Sequence, residues 1–285
     1  MRIALRGGTP EDAEACGLIC YEAFRRLAEH HNFPPDFPSP EFATHVLAQL
    51  LSHSGFYSVV AQADGRVVGS NFMDERGTIA GIGPITVDPE FQDSAVGRRL
   101  MQDVLDRAEG GDFTGVRLCQ AAYHNRSLAL YAKLGFAVRE PLSTLQGTPP
   151  GMKIPGASVR KAVAGDIEAC NALCQRIHGH DRAGEVADAI AHGIASVVER
   201  EGRITGYHTS IAFFGHAVGE TNEDLKALIA AAGEIQGPGI LVPSRNTELL
   251  NWGLKNGLRL VQQMTLMTKG FYREPEGAYL PSVLY

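Results

Sequence analysis

The sequence predicts an α/β fold, more closely an α+β mixed sheet with helices on its faces, that occurs twice in tandem. Strand-like and helix-like periodicities alternate along the first half of the chain, which is typical of a mixed sheet covered by helices. Three segments of this half return in the same order later in the chain, and this indicates a duplicated domain. The pairs are "EDAEACGLIC" (11–20) with "GDIEACNALC" (165–174), "DGRVVGS" (64–70) with "EGRITGY" (201–207), and "KLGFAV" (133–138) with "KNGLRL" (255–260).

The elements of the first copy follow from periodicity and turn signals. Two apolar runs flank "DG" at 64–65 and predict a hairpin, because Asp-Gly is a common two-residue turn between strands. Pro89 ends the next strand, and "VGRRLMQDVLDRA" beyond it has helical periodicity. In chain order we expect a strand at 2–6, helices at about 10–29 and 40–52, strands at 57–63, 67–74 and 79–87, a helix at 95–109, a strand at 115–121, a helix at 126–134 and a strand at 136–145.

The Pro/Gly-rich segment "QGTPPGMKIPGAS" (146–158) reads as a linker between the copies. It divides the 285 residues into a first domain at 1–147, a linker at 148–157 and a second domain at 158–285, a length that suits two domains. The offset between matching segments shrinks along the chain, so the second copy is shorter. We expect it to lack the counterpart of 30–45.

The second deletion falls on the region that corresponds to "ITVDPEFQDSAVGRRLM" (85–101). There the second copy has "GHAVGETNEDLKALIAAAG" (215–233). Glu220, Glu223 and Asp224 lie at the start of its predicted helix and would repel an anion. The second copy is therefore predicted to be degenerate and to bind no anionic ligand.

Composition excludes several function classes. The formal net charge is −6 with no basic block, which argues against nucleic acid as a partner. No apolar run has the length of about 20 residues that a membrane span needs, and the N-terminal residues lack the apolar core of a secretory signal. We expect a cytoplasmic protein without a membrane partner.

The five cysteines and the clustered histidines do not predict a metal site. The odd cysteine number and the lack of a CxxC pair argue against both disulfides and zinc, so the helical cysteine pairs are interpreted as small buried residues. His30, His31 and His45 have a spacing that fits no usual ligand pattern. No metal cofactor is predicted.

The stretch 85–101 is the main candidate for a binding site. It predicts a strand, a short polar turn and a helix N-terminus, where backbone N–H groups have no partner within the helix and suit an anion such as phosphate. Gly97 permits close approach of a ligand to the backbone, and Arg98 can add a charge-assisted contact.

Two motifs carry a family resemblance. "VDPEFQDSAVGRRLM" resembles the acyl-CoA motif of the GNAT N-acetyltransferase superfamily, Gln/Arg-x-x-Gly-x-Gly/Ala after a strand, and "NRSLALYAKLGF" (125–136) is similar to that superfamily's second motif. The resemblance covers roughly 1–147. Ala95 replaces the first glycine, which is tolerable if its φ stays negative, and Asp93 and Ser94 stand where glycine or a basic residue is common.

The resemblance implies acetyl-CoA as co-substrate and assigns site residues. The backbone N–H of Val87 would stabilise the oxyanion, Tyr131 would protonate the departing sulfur, and Asn125 would bond the pantetheine arm or a bridging water. The alternative for Tyr131 is simple packing against Leu128 and Leu134. The expected cofactor-binding residues are Ile85, Thr86, Val87, Gln92, Asp93, Ser94, Ala95, Val96, Gly97, Arg98 and Asn125.

The general base is left open among three groups. Asp74 and Glu75 end the strand before the cofactor strand and can face an amine, although a solvated turn is the alternative. In some tandem relatives the terminal carboxylate acts as a base, which would make Tyr285 a candidate. The alternative for "GFYREPEGAYLPSVLY" (270–285) is packing of an apolar tail between domains.

The sequence thus predicts an N-acetyltransferase that moves acetyl from acetyl-CoA to a primary amine in a ternary complex. No G-x-S-x-G setting for a nucleophile is present. A small-molecule amine is a better fit than a protein acceptor, and both a monomer and a homodimer are open. The alternatives are a non-catalytic acyl-CoA sensor and an interaction scaffold. The second domain is expected to shape the acceptor pocket.

Overall fold

The computed structural model describes residues 3–92 and 94–284. Helices and strands alternate along it as the periodicity predicts. The elements of the first copy are the strands β1 (Ile3–Gly7), β2 (Phe56–Ala63), β3 (Arg66–Asp74), β4 (Ile79–Ile82), β5 (Thr86–Val87), β6 (Gly115–Ala121) and β7 (Ala137–Gln146), and the helices α1 (Ala13–His30), α2 (Pro40–Ser52), α3 (Val96–Glu109) and α4 (Asn125–Lys133).

The second copy repeats this order with shorter elements. Its elements are the strands β8 (Ser158–Lys161), β9 (Ser196–Arg200), β10 (Arg203–His208), β11 (Ala217–Gly219), β12 (Ile240–Pro243), β13 (Arg259–Gly270) and β14 (Ala278–Leu280), and the helices α5 (Ile167–His178), α6 (Ala183–Ala191), α7 (Asn222–Ala231) and α8 (Thr247–Lys255).

Matching local contacts confirm the duplication. Arg6 donates to both oxygens of Asp12 at 2.7 Å, and Arg160 pairs in the same bidentate way with Asp166 at 2.7 and 2.9 Å. Each acid also accepts the backbone N–H three residues before it, at the start of a short 3₁₀ turn. The same N-terminal lock therefore precedes α1 and α5.

The hairpins of the two copies also correspond. Asp64 and Gly65 join β2 to β3 with φ of +49° and +87°, and Glu201 and Gly202 join β9 to β10 with φ of +51° and +75°. Two consecutive positive φ values define the two-residue turn whose twist matches antiparallel strands. The predicted hairpin is confirmed, and its counterpart keeps the same turn.

The strands form two sheets whose composition crosses the predicted domain boundary. One sheet has the order β1-β2-β3-β4-β6-β13-β7-β12, with β5 beside β3, and the other has the order β14-β11-β10-β9-β8. Strand β13 of the second copy lies between β6 and β7, while β7 of the first copy lies between β13 and β12. The sheets therefore cross the predicted boundaries at 147 and 158, because each copy contributes its last long strand to the other.

The prediction of one continuous strand at 79–87 is wrong, because the structure has two strands there, β4 and β5. Strand β4 pairs in parallel with β6, whereas β5 pairs antiparallel with β3. Residues 83–85 between them belong to no strand and include a cis Gly83–Pro84 bond. Ile85, expected on the strand, therefore lies in the break.

Helices cover both faces of the first copy. Helices α1 and α2 pack on one face around Cys20, Leu47 and Phe72, and α3 and α4 pack on the other around Leu100 and Tyr131. All four helical cysteines are buried free thiols, as the sequence predicted. No helix in the described parts of the chain is long and apolar enough to cross a membrane.

The first deletion in the second copy is confined to loops and helix ends. Residues 31–39 join α1 to α2, whereas only residues 179–182 join α5 to α6. Helix α6 stands in the place of α2, so the expected loss of the whole counterpart of 30–45 is wrong for its helical part. What the second copy lacks is the long connection.

Candidate active site between β5 and β6

A slot opens between β5 and β6 in the first copy. The parallel pairing of β4 with β6 stops at Gly81 and Arg117, although β6 continues to Ala121. Beyond this point β5 turns toward β3 instead. The two strands therefore diverge and leave backbone groups without a strand partner on the facing edges.

The N–H of Val87 points into this slot. In an antiparallel pair, successive residues direct their N–H groups alternately toward and away from the neighbouring strand. Asp88 donates its N–H to the carbonyl of Val68 on β3 at 2.9 Å. The N–H of Val87, one residue earlier, is therefore directed away from β3 and toward β6.

The turn after β5 is held by local contacts. The Asp88 carboxylate accepts a hydrogen bond from the N–H of Glu90 and forms an ion pair with Arg66 at 2.7 Å. The Arg66 guanidinium also lies over the Phe91 ring. Gln92 is extended and exposed. These contacts direct the chain from the strand into α3 without using the backbone N–H groups at the helix start.

Ala95 adopts a left-handed conformation, with φ of +61° and ψ of 9°. The condition under which alanine would be tolerable, a negative φ, is not met, because the turn needs a residue in the left-handed region to lead into α3. An alanine there costs about 1 kcal/mol, which a glycine would not. Asp93 lies outside the described residues, and Ser94 is exposed beside Ala95.

Among the described residues, no side chain caps the N-terminus of α3. Ala95, its N-cap, has no side chain that can cap the helix, and the first turn contains no acid. Val96 is buried, Arg98 is exposed, and Gly97 faces β5: an added Cβ would lie 3.6 Å from Cγ2 of Val87. The helix start and the Val87 edge therefore lie side by side.

Tyr131 lies on the same face as α3. It is buried in the cluster that includes Val87 on β5 and Leu118 on β6, and its ring meets Phe136 edge-on at 6.2 Å. Burial raises the pKa of Tyr131 to about 12, so the phenol stays protonated and can act as a donor. Leu128 and Leu134 also pack against this cluster.

Asn125 begins α4 and is exposed to solvent. The preceding His124 lies 2.6 Å from Ser127, from Nδ1 to Oγ. Burial, followed by the charge of Arg126, lowers the pKa of His124 below its usual range. The imidazole is therefore neutral at physiological pH.

Comparison with known proteins identifies the family. The model of the acetyltransferase (GNAT) family matches residues 21–136. The chain is 30% identical to the IAA acetyltransferase of Azospirillum brasilense over 105 residues, which cover 36% of this chain and 69% of that protein. The chain belongs to the GNAT acetyltransferase family.

Solved structures show that the whole GNAT chain has a tandem fold. A Pyrococcus horikoshii protein assigned as an acetyltransferase has a TM-score of 0.74 at 17% identity and covers 97% of this chain and 94% of that chain. A tandem GNAT protein from the clavulanic acid biosynthesis pathway has a TM-score of 0.57 at 13% identity and covers 94% of this chain and 98% of that chain. At these identities the likeness concerns the fold alone.

The second GNAT copy uses the corresponding positions for its own packing. At the N-terminus of α7, the buried Asp224 carboxylate accepts a hydrogen bond from the N–H of Thr221. It also forms an ion pair with Arg200 at 2.7 Å. Gly253 occupies the position that corresponds to Tyr131, and an added Cβ would lie 2.8 Å from Leu145. This site has neither an acid-free helix start nor room for the tyrosine.

The slot of the second GNAT copy is filled by the chain itself. Strand β14 pairs antiparallel with β11, from Ala217 opposite Leu280 to Gly219 opposite Ala278, and its other side lies against β12. β11 corresponds to β5, because it pairs with β10 in the register in which β5 pairs with β3, and β12 corresponds to β6, so β14 occupies the position of the open slot in the first copy. The sequence contained no signal for this strand beyond its apolar composition.

After β14 the tail runs to the first copy. Cys119 on β6 contacts the carbonyl of Ser282 at 3.5 Å, and Val283 donates its N–H to Phe213 at 2.9 Å. Ser282 and Leu284 line a polar cleft that also includes Gly81 at the end of the β4–β6 pairing. Tyr285, a predicted base, lies outside the described residues.

Glu75 is not placed to act as the base. Arg107 donates to both of its carboxylate oxygens at 2.8 and 3.1 Å near the C-terminus of α3, a helix of 14 residues. The N–H of Val87, the proposed oxyanion donor, lies opposite Gly69 on β3, about 20 Å along the chain from Glu75. The interpretation of Glu75 as base is therefore corrected: it fixes the end of α3. Asp74 is occupied by Arg76.

Charged groups from both copies meet at the polar cleft, which sequence patterns did not reveal. Arg76 bridges Asp74 and Asp188, and Arg182 pairs with Glu185, whose other oxygen lies 2.8 Å from His216. These residues are up to 142 positions apart in the chain, so only the tertiary fold brings them together. Among the described residues no group of three side chains has the arrangement of a metal site.

Proposed function

We propose that this protein transfers the acetyl group of acetyl-CoA to a primary amine in a ternary complex, and that the first copy alone is catalytic. The observation that carries the proposal is the juxtaposition of an acid-free helix start at Gly97 with the unpaired N–H edge at Val87. The pyrophosphate of coenzyme A suits the first, and the extended amide chain of its pantetheine arm suits the second.

The residues that would hold acetyl-CoA lie in the turn before α3, on β5 and at the start of α4. The backbone from Gln92 to Gly97 and the dipole of α3 bind the diphosphate, and the exposed Arg98 adds a charge-assisted contact. Ile85, Thr86 and Val87 form the edge beside the pantetheine arm, and Asn125 stands at the entrance of α4. Asp93 and Ser94 complete the turn.

Acetyl-CoA supplies an activated thioester, and the protein stabilises the change in charge. As the amine nitrogen bonds to the carbonyl carbon, the N–H of Val87 donates to the oxygen that becomes negative. As the C–S bond breaks, the Tyr131 hydroxyl gives a proton to the departing sulfur, and the nitrogen loses one proton to a base. Preorganised donors of this kind accelerate acyl transfer because they cost no reorganisation.

The second copy is proposed to be a degenerate partner. Its helix start is closed by Asp224 and its slot by β14, so it offers no position for the cofactor. It contributes β13 beside β6 and the walls of the polar cleft at Gly81. We therefore assign it the role of shaping the pocket for a small amine.

Thiol release with a panel of primary amines tests the proposal. We expect turnover in the wild type and a loss of about 100-fold in kcat for Tyr131→Phe, because the phenol is the proposed proton donor. Affinity for acetyl-CoA should be unchanged, and Tyr21→Phe on α1 is the matched control without effect. Binding of acetyl-CoA without turnover of any amine would contradict the enzyme and favour an acyl-CoA sensor.

A further inference from the structure

The connection between α1 and α2, residues 31–39, contains an acid, Asp36, that has no assigned role in the proposed reaction. Asp36 is half-buried in this loop, on the sheet face opposite α3 and α4. The second copy has no equivalent, because its corresponding helices are joined by residues 179–182 alone. The loop is thus a feature of the copy with the open slot.

The charge of Asp36 reaches two groups that lie near the walls of the slot. On one side its charge acts on Cys20, which packs with Phe72 of β3. The carbonyl of Phe72 accepts the N–H of Gly83, in the break between β4 and β5. On the other side its charge acts on Tyr123, which follows the end of β6.

Aromatic contacts and one hydrogen bond fix the loop over this position. Phe33 stacks on Tyr123 with ring centroids 4.4 Å apart, and His31 contacts the same ring at 5.0 Å. Gln262 of β13 accepts from the Tyr123 hydroxyl at 3.4 Å and donates to Oδ1 of Asp36 at 3.3 Å. Within residues 3–92 and 94–284, Oδ2 of Asp36 has no hydrogen-bond donor.

The surroundings of Asp36 differ from those of Asp74 and Glu75. Both of these are held by arginines, whereas no cation in the described chain lies within ion-pairing distance of Asp36. Burial raises the pKa of Asp36 to about 6, and the hydrogen bond from Gln262 opposes this only in part. A general base is most effective when its pKa lies near the working pH.

We propose that Asp36 is the general base of the acetyl transfer. This inference rests on the proposed function, since it assigns the proton that the amine must lose. Oδ2 accepts one proton from the acceptor nitrogen as the new N–C bond forms, and the sulfur leaves with the proton from Tyr131 when the C–S bond breaks. Atoms and charges balance without a further reactant.

The groups that face Asp36 make its pH dependence specific. They are Cys20 on α1, Tyr123 after β6 and the neutral Gln262 on β13, and His31 of the same loop lies against the Tyr123 ring. Burial raises the pKa of the Cys20 thiol and that of the Tyr123 phenol, so both stay neutral near pH 6. A limb in the rate profile at about pH 6 that disappears in Asp36→Asn and persists in His31→Gln therefore belongs to Asp36.

The test uses the full-length chain, acetyl-CoA and the best primary amine of the panel. Asp36→Asn should lower kcat/KM for the amine by about 100-fold and remove the acid limb near pH 6, with the KM for acetyl-CoA unchanged. Asp36→Glu should restore part of the rate and keep a limb. Asp64→Asn, an exposed acid in the hairpin turn, is the matched control and should behave as wild type.

The outcomes separate this inference from the proposed function. Wild-type turnover with an Asp36→Asn rate within threefold of it would overturn the base assignment alone. A chain ended after Val283 that loses the limb while Asp36→Asn keeps it would assign the base to the terminal carboxylate of Tyr285 instead. No amine turnover in the wild type would overturn the proposed function, and this assignment with it.

Discussion

Helices α3 and α7 follow equivalent strands in the two copies, yet their first turns are opposite in chemistry. Helix α3 begins after a left-handed alanine with no capping side chain and no acid. Helix α7 begins with a capping box in which Asp224 accepts the N–H of Thr221 and pairs with Arg200. The described side chains leave the start of α3 without a cap, whereas Asp224 caps the start of α7.

The slots beside these helices show the same contrast. In the first copy the edges of β5 and β6 face each other without a strand between them, and in the second copy β14 fills the gap. An unpaired backbone edge costs free energy unless water, a ligand or another strand satisfies it. The comparison teaches that the second copy satisfies this edge with the protein's own tail, whereas in the first copy we propose that the pantetheine arm does so.

Removal of Asp224 should have the largest effect on stability. Asp224→Ala leaves Arg200 without its carboxylate and α7 without its cap, and we expect a loss of about 3 kcal/mol in the free energy of unfolding. Urea unfolding measures it, with Asp106→Ala on the exposed face of α3 as the control. Acetyl-CoA affinity of the folded variant should stay the same; a loss below 1 kcal/mol would contradict the described role of Asp224.

The contrast between the copies was largely visible in the sequence. The hairpin at Asp64 and Gly65, the strand–turn–helix at 85–101 and the acids before α7 are local signals, so residue type and spacing were sufficient to predict them. The roles proposed for Val87, Gly97 and Tyr131 rest on the family resemblance.

The exchange of β7 with β13 and the insertion of β14 could not be predicted in the same way. These strands have ordinary periodicity. The choice of neighbour for each strand depends on contacts between residues far apart in the chain. Ala95 was misjudged for a related reason, since its positive φ is imposed by the entry into α3. Glu75 was misjudged because Arg107, its partner, is 32 positions away.

The ionised carboxylate of Asp36 should destabilise the folded protein, unlike the acids of the second copy that are paired with arginines. Its pKa in the folded chain is raised to about 6, above about 3.9 in the unfolded chain, so ionisation disfavours the folded state as pH rises through this window. After allowance for partial solvent screening, Asp36→Asn should stabilise by on the order of 1–2 kcal/mol at pH 8 and by nothing below pH 4. Urea unfolding of wild type and variant at both pH values measures this difference, and Asp64→Asn is the control whose stability relative to wild type should not change with pH. Equal stabilities of Asp36→Asn and wild type at pH 8 would contradict the burial of this charge.

The left-handed residues offer a smaller and sharper comparison. Ala95 before α3 and Glu201 in the second hairpin both have positive φ, so replacement by glycine should stabilise each site by about 1 kcal/mol. Only Ala95→Gly lies at the proposed diphosphate turn, and only this variant should change the affinity for acetyl-CoA, toward tighter binding. Thermal unfolding and a binding titration of both variants test the difference, and a change in affinity for Glu201→Gly would contradict a single site.

The central claim is that one copy binds acetyl-CoA and the other does not, and calorimetric titration of acetyl-CoA tests it most directly. Wild type should bind about one acetyl-CoA per chain. Gly97→Trp at the start of α3 should abolish binding, and Glu223→Trp at the corresponding position of α7 should leave it unchanged. Two sites per chain, or loss of binding in Glu223→Trp but not in Gly97→Trp, would contradict the account.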